Sequence, residues 1–472
     1  MTLFRSDILP SDRGRQVGRI AIPTGLEFVL ILGLGFINQV VVAGLGDTAV
    51  AAVGFANSIN MMPFFFLGAL GVGAGVVSAR AFGGGLHDRV SLSVTTALVM
   101  AIGSTVVVTL PFLFFPAQIL ELTGASDSVI ATGSSYLQIV LASLTLGVVS
   151  QVLSGVLRSV NRPKSPMVAT IVTVLLNTPL AVLLVYGWGP VPAMGITGAA
   201  WATFITTTIK AAILLGQTFI FFDVADWKMP RGGAQWRQIA SPILVLAWPM
   251  ALTGLSWTSG SFVFMALVQQ LGDSALAAIQ VVFALGGVFV VANIGYGVAV
   301  TTLAGQAVGA GRPDLAKEWA RYLMRLTLPT SIVFGLLYLA SSLLLPDLFP
   351  ELSPQALTWA TTGIAILAAT QPVGARIAVL ASILPSGNDP FGILLGDIVG
   401  PFVVGIPVTI ALAFFTPLGV LGAFIGRGAE DITKWLIFAW RAKKIQWDQV
   451  ARRHLESVMP PQDARTGPIS IV

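Results

Sequence analysis

Apolar residues gather in this chain into twelve long stretches separated by short polar turns. A helix needs about 20 mostly apolar residues to cross the ~30 Å hydrocarbon core of a bilayer. The stretches 17–43, 55–78, 90–115, 129–157, 166–187, 197–222, 240–269, 280–305, 319–345, 356–384, 392–415 and 418–440 reach that length. The pattern predicts an all-α polytopic membrane protein of twelve transmembrane helices. An even number of spans puts both termini on one side.

Composition agrees. Of 472 residues 55% are hydrophobic and 10% charged, against about 25% charged in an ordinary soluble protein. The chain has no Cys, and its two His, His87 and His454, lie in polar stretches. Disulfides, thiolate or His-rich metal sites and a Cys nucleophile are therefore excluded, and a membrane-embedded enzyme lacks its usual donors. No GxxxxGK[ST] motif points to ATP. The polar start, with Arg5, Asp7, Asp12, Arg13 and Arg15, reads as a cytoplasmic tail, because the apolar stretch after it is too long for a signal peptide.

The net charge of +5 would suit a nucleic-acid partner, but its distribution gives another meaning. Loops 44–54, 116–128, 188–196, 270–279, 346–355 and 416–417 hold no Lys or Arg, yet carry Asp47, Glu121, Asp127, Asp273, Asp347 and Glu351. The other side holds Arg80, Arg89, Arg158, Arg162, Lys164, Lys228 and the tail cluster around Arg441 and Lys444. The positive-inside rule then places both termini in the cytoplasm of a plasma (inner) membrane protein.

The halves repeat at an offset of 226: Pro23 matches Pro249, Leu45-Gly46-Asp47 matches Leu271-Gly272-Asp273, and Gly83 and Gly85 match Gly309 and Gly311. VLRSVN (156–161) is echoed by ILPSGN (383–388), and MGITGA (194–199) by LGVLGA (418–423). Six spans per copy imply two bundles related by an axis along the membrane normal, able to rock about a midplane cavity. The predicted organisation is a tail (1–16), a six-helix lobe (17–222), a linker (223–239), a second lobe (240–440) and a cytoplasmic tail (441–472).

The segments GLGDTAVAAVGF (44–55), RAFGGG (80–85), VLRSVNRPKSPM (156–167), GITGAAWAT (195–203), LGDSALAAIQV (271–281), AGQAVGAGRPDLA (304–316) and SGNDP (386–390) resemble those of MATE-type multidrug and toxin extrusion transporters of the wider flippase-exporter superfamily. The resemblance implies a twelve-helix exporter that exchanges proton or sodium entry for efflux of organic cations or other amphiphiles. It also exposes departures. Where many relatives carry an Asp in the first helix this chain has Asn38, and where NIVLD ends in an acid the segment NTPLA keeps Asn177 but has Ala181. Trp257 and Gly374 stand near the places of second-lobe acids.

Ionisable groups inside spans are expensive and mark function by default. Glu27 lies eleven residues before Asn38, about three full turns, so both share one stripe near mid-bilayer. Glu27 is the candidate substitute proton site, with Asn38 and Asn177; a structural pair with Lys210 is the competing reading. Arg376 and Asp397 read as a second neutralising pair, and Arg427, Glu430, Asp431 and Lys434 as charges that cancel along one helix face. Asn57, Tyr136 and Gln280 are candidate cavity residues, although polar side chains in spans more often bond helix to helix. The expected function is secondary export of amphipathic, cationic small molecules coupled to H+ or Na+, with no cofactor or metal. The alternative is a flippase or exporter for a lipid-linked or anionic metabolite, which a basic cavity would favour. The expected partners are the substrate and the bilayer, with no nucleic acid, and the expected state is a monomer.

Overall fold

The computed structural model describes residues 10–122, 126–350 and 352–458; the tail residues 1–9 and 459–472, the residues 123–125 and Glu351 lie outside the described residues. Among the described residues twelve long helices follow one another: α1 Pro10–Ala43, α2 Asp47–Gly83, α3 His87–Phe114, α4 Asp127–Ser159, α5 Lys164–Tyr186, α6 Ile196–Gly216, α7 Gly232–Gln269, α8 Asp273–Gly309, α9 Pro313–Ser341, α10 Pro354–Ser386, α11 Pro390–Phe414 and α12 Val420–Lys443. A thirteenth, α13, spans Trp447–Val458. Ten helices are long and apolar enough to span a membrane on their own, and α8 makes an eleventh if its 42° bend is one span. The twelfth is diluted by Arg427, Glu430, Asp431 and Lys434.

The helices outrun the predicted spans. α2 and α8 have 37 residues each, about 55 Å at 1.5 Å per residue, against a ~30 Å core. Hydropathy marks only the part that meets lipid, and the helix continues where the sequence turns polar. α1 likewise begins at Pro10, inside the predicted tail, and α7 at Gly232, inside the predicted linker. α11 contains a π-helical stretch, Val399–Gly405, around Pro401. Proline there has no N–H to give the regular ladder, and π-bulges of this kind recur at functional sites.

The duplication is written in the backbone. Gly46 and Gly272 enter α2 and α8 at φ 95° and 104°; Gly85 and Gly311 leave them at φ 70° and 68°. Asn161 and Asn388 take φ 62° and 63°, a conformation Asn tolerates better than other side chains. Each lobe leans its first helix on the other: Val17 and Ile20 of α1 join the core of the second lobe, and Ile243 and Ala247 of α7 join that of the first. Val17 and Ile243 are themselves 226 apart.

The side-chain hydrogen bonds that join the lobes among the described residues all lie at the end bearing α13 and the start of α1, called here the basic face. Arg80 donates to the Ser386 carbonyl (2.9 Å), Gln306 to that of Ser159 (2.7 Å) and Thr302 to that of Arg158 (3.4 Å). Arg13 and Arg89 add bonds to Glu318 and to the Ser457 carbonyl. The backbones cross so closely that a Cβ on Gly83 would overlap the Gln306 carbonyl, and one on Gly309 the Arg80 carbonyl. Farther toward the opposite face the lobes also meet through the edge-on rings of Phe65 and Trp257, 5.9 Å apart. The segment between α6 and α7 is clamped to α3: Lys228 Nζ meets Asp88 at 2.7 Å and Asp226 at 2.8 Å. Those partners raise the Lys228 ammonium above its ordinary pKa.

Candidate functional site

The first-lobe candidate is built on α1 and α4. Glu27 is 1% exposed and Arg158 7%, and their side chains meet at 2.7 Å. Each is the other's counter-charge away from water, where an unpaired buried charge costs several kcal/mol. Arg158 also lies 5.6 Å from the centre of the Phe28 ring, which covers the guanidinium with an aromatic face. Two expectations change. The partner of Glu27 is Arg158, not Lys210, which has no ion pair among the described residues although it feels the charge of both. The pair also lies toward the basic face rather than at mid-bilayer, because Arg158 is the penultimate residue of α4.

The second lobe holds a longer network. Lys434 of α12 reaches Asp397 of α11 at 3.1 Å and Glu430 at 2.9 Å, and Arg427 closes on Glu430 at 2.7 Å. The spacings of three and four put these α12 charges on one face. The backbone of the π-helical stretch makes room for them: a Cβ on Gly400 would stand 2.7 Å from Lys434 Cγ, and one on Gly405 2.9 Å from Glu430 Cβ. Ser256 of α7 ties the stretch down by donating to the Asp397 carbonyl at 2.5 Å. The expected pair of Asp397 with Arg376 is not formed. Arg376 lies 6.0 Å from the Trp435 ring centre, with its Nε buried and without a hydrogen-bond partner. Gly400→Ala is expected to lower stability by about 1–3 kcal/mol through overpacking against Lys434; a melting temperature in detergent equal to that of the parent would show that the stretch yields freely.

Between the lobes lies a cavity of about 320 Å³, walled by α2 and α4 on one side and α7, α8 and α10 on the other. Gly71 and Gly155 cross there closely enough that a Cβ on Gly155 would stand 2.5 Å from the Gly71 carbonyl, so part of the first-lobe wall is bare backbone. Gln151, Thr301, Thr302 and Ser382 supply polar groups, Met250 an adaptable apolar one, and Arg158 the one ionisable side chain of the lining. The Glu27–Arg158 pair therefore borders the cavity and the interlobe seam at once.

The remaining candidates are scattered. Asn177 donates to the Thr206 hydroxyl at 3.0 Å while its carbonyl oxygen is buried without a partner, as is that of Asn38. Tyr136 donates to Asn57 at 3.4 Å within the first lobe, and Gln280 is exposed near the Met265 sulfur. Asn57, Tyr136 and Gln280 do not line the interlobe cavity. Sequence reasoning passed over Arg158 because it sits among the loop cations that set topology. The signal was available: a buried acid in α1 demands a cation, and VLRSVN carries one inside a repeated segment.

Comparison with known proteins gives a consistent result. A family model described as MatE matches residues 23–183 and 249–411. An FAD transporter of Shewanella oneidensis is 27% identical over 440 residues, covering 89% of this chain and 90% of that protein. A probable multidrug resistance protein NorM of Thermotoga maritima is 23% identical over 420 residues, covering 89% of each. Among solved structures, an outward-facing MATE family transporter of the MOP superfamily superposes with a TM-score of 0.84 at 18% identity, over 92% of this chain and 96% of that one. A MOP superfamily transporter from Pyrococcus furiosus, described by its reversed binding-pocket polarity, gives 0.82 at 19% identity over 93% and 97%.

Proposed function

The chain belongs to the MatE family, whose members are transporters and not enzymes, and from that membership we propose that it is a secondary exporter of amphipathic small organic molecules, driven by cation entry. The observation that carries this is the interlobe cavity sealed at the basic face by hydrogen bonds from both lobes. The lobes 17–222 and 240–440 rock about it, with 223–239 as the connection and the basic face in the cytoplasm.

Coupling is proposed at Glu27. A proton arriving from the opposite face neutralises the carboxylate and leaves Arg158 without its counter-charge. Arg158 cannot give up a proton, so its uncompensated charge favours the arrangement that admits water at the seam. The proton then leaves on the cytoplasmic side, the pair re-forms and the seam closes. Substrate enters through the open seam as the proton leaves and departs toward the opposite face before the next proton arrives, and that exchange is an antiport.

The sign of the substrate follows from the wall. A cationic substrate would seek a free carboxylate, and the lining offers none: its one ionisable side chain is Arg158, whose charge Glu27 balances until the proton arrives. An anionic amphiphile fits this better, in keeping with the relative named as an FAD transporter. Efflux of FAD and of a cationic dye from proteoliposomes, under separately imposed pH and sodium gradients, tests both points. The expected result is FAD movement that follows the pH gradient, with little dye movement. Movement indifferent to both gradients would overturn the antiport; dye movement without FAD would overturn the substrate sign.

A further inference from the structure

A second, larger cavity lies apart from the interlobe one. It measures about 560 Å³ and opens at the basic face, between the ends of α2 and α3 in the first lobe and α7, the α10–α11 turn, α12 and α13 in the second. Its charge is lopsided. Arg80, Arg89, Arg441, Lys444 and Arg453 line it against one carboxylate, Asp389. That carboxylate is fully engaged: Arg441 grips it through Nε (2.8 Å) and a terminal nitrogen (2.6 Å), and it also caps the start of α11 by accepting from the Gly392 N–H. Arg80, Arg89, Lys444 and Arg453 have no ion pair among the described residues.

Arg80 makes the imbalance specific to this cavity. It is 8% exposed, spends one donor on the Ser386 carbonyl, and leaves its Nε buried without a partner. Beside it the Nε2 of His454 is also buried and unpartnered. Burial and the charges of Arg80 and Arg89 push the His454 imidazole down to about 4, so at neutral pH it adds no charge but keeps a polar nitrogen in the pocket. A concave site with unpaired guanidinium donors suits the tetrahedral oxygens of a phosphate group, which Arg binds through its planar fork. The α7 wall begins with the polar Gln238 and Ser241 and turns apolar at Pro242 and the half-exposed Val245, where the helix continues into the span.

We propose that this pocket binds a phosphate-bearing anion and, when filled, ties the two lobes together at the basic face. Its donors come from both lobes, Arg80 and Arg89 from one and Lys444 and Arg453 from the other, so the anion bridges a joint that must separate if the lobes rock. Binding stands apart from the transport reading; its effect on the lobes rests on it. The phosphate comes from an inner-leaflet phospholipid headgroup or from a soluble phosphate, and two measurements separate these. Native mass spectrometry reads retention of phosphatidylglycerol over phosphatidylcholine, and calorimetry in phosphatidylcholine nanodiscs reads inorganic pyrophosphate.

The test variants are Lys444→Gln with Arg453→Gln, both exposed and outside the seam, and separately Arg80→Gln. Binding in either arm, weakened at least tenfold by the exposed pair of substitutions, is the expected result. No binding in both arms, or binding that ignores those substitutions in a folded protein, overturns the site. If pyrophosphate or phosphatidylglycerol binds but does not slow opening of the lobes, read by distances between spin labels on the opposite face, the bridging role falls and the binding site remains.

Discussion

Glu27→Gln is expected to abolish gradient-driven efflux and to lower the stability of the protein. The glutamine keeps the shape of the side chain and removes the charge that Arg158 needs. Breaking a buried pair by removing one partner costs about 3–5 kcal/mol, because the other charge remains buried and uncompensated. Two readouts separate structure from coupling. If the pair were only structural, Glu27→Gln with Arg158→Gln would restore the melting temperature and leave the pH dependence of the remaining efflux unchanged, since removing both charges leaves neither buried without its counter-charge. If Glu27 carries the coupling proton, the double variant regains the melting temperature but not pH-driven efflux. Full proton-coupled efflux in the single variant would remove Glu27 from the mechanism altogether.

The architecture was readable from the sequence because lipid enforces it. Every span must satisfy its backbone internally, so apolar length alone announces a helix. The repeat was readable because the same turns recur: Gly46 and Gly272, or Gly85 and Gly311, hold positive φ angles that side chains resist, and so leave glycine at a constant offset. The pairing of charges was not readable. A linear rise of about 1.5 Å per residue puts Glu27 near mid-bilayer, at the depth of Lys210. α1 instead starts at Pro10 and leans on the second lobe, which brings Glu27 to the last turn of α4 and to Arg158. Asp397 was likewise assigned to Arg376, a partner at similar depth. Depth says nothing of azimuth, and the π-helical stretch after Asp397 directs it to Lys434 on α12. Asn57, Tyr136 and Gln280 are polar residues within spans, a property that wall and core share alike.

Gly309→Val is expected to open the seam at the basic face. Gly83 and Gly309 are equivalent positions of the two repeats, and each lies against a backbone carbonyl of the other lobe, that of Gln306 or of Arg80. A flexible side chain can swing away from an added methyl group, but a carbonyl held in a helix cannot. Relief requires the lobes to part there, which is the motion that alternating access needs. Overpacking of this kind costs about 1–3 kcal/mol in the sealed state, and a shift of 1–3 kcal/mol moves a two-state equilibrium about 5- to 150-fold. The chain has no Cys, so spin labels attach only at Thr48→Cys and Ser274→Cys, on the first turns of α2 and α8 at the opposite face. Relative to the parent, the distance between them should shorten in Gly309→Val as the opposite face closes, and Gly83→Val should act in the same direction. Efflux should fall by one to two orders of magnitude, because a transporter held in one state cannot complete the cycle. An unchanged distance distribution with normal efflux would mean that the glycine crossing is a static joint, and the gate would have to be sought elsewhere along α2 and α8.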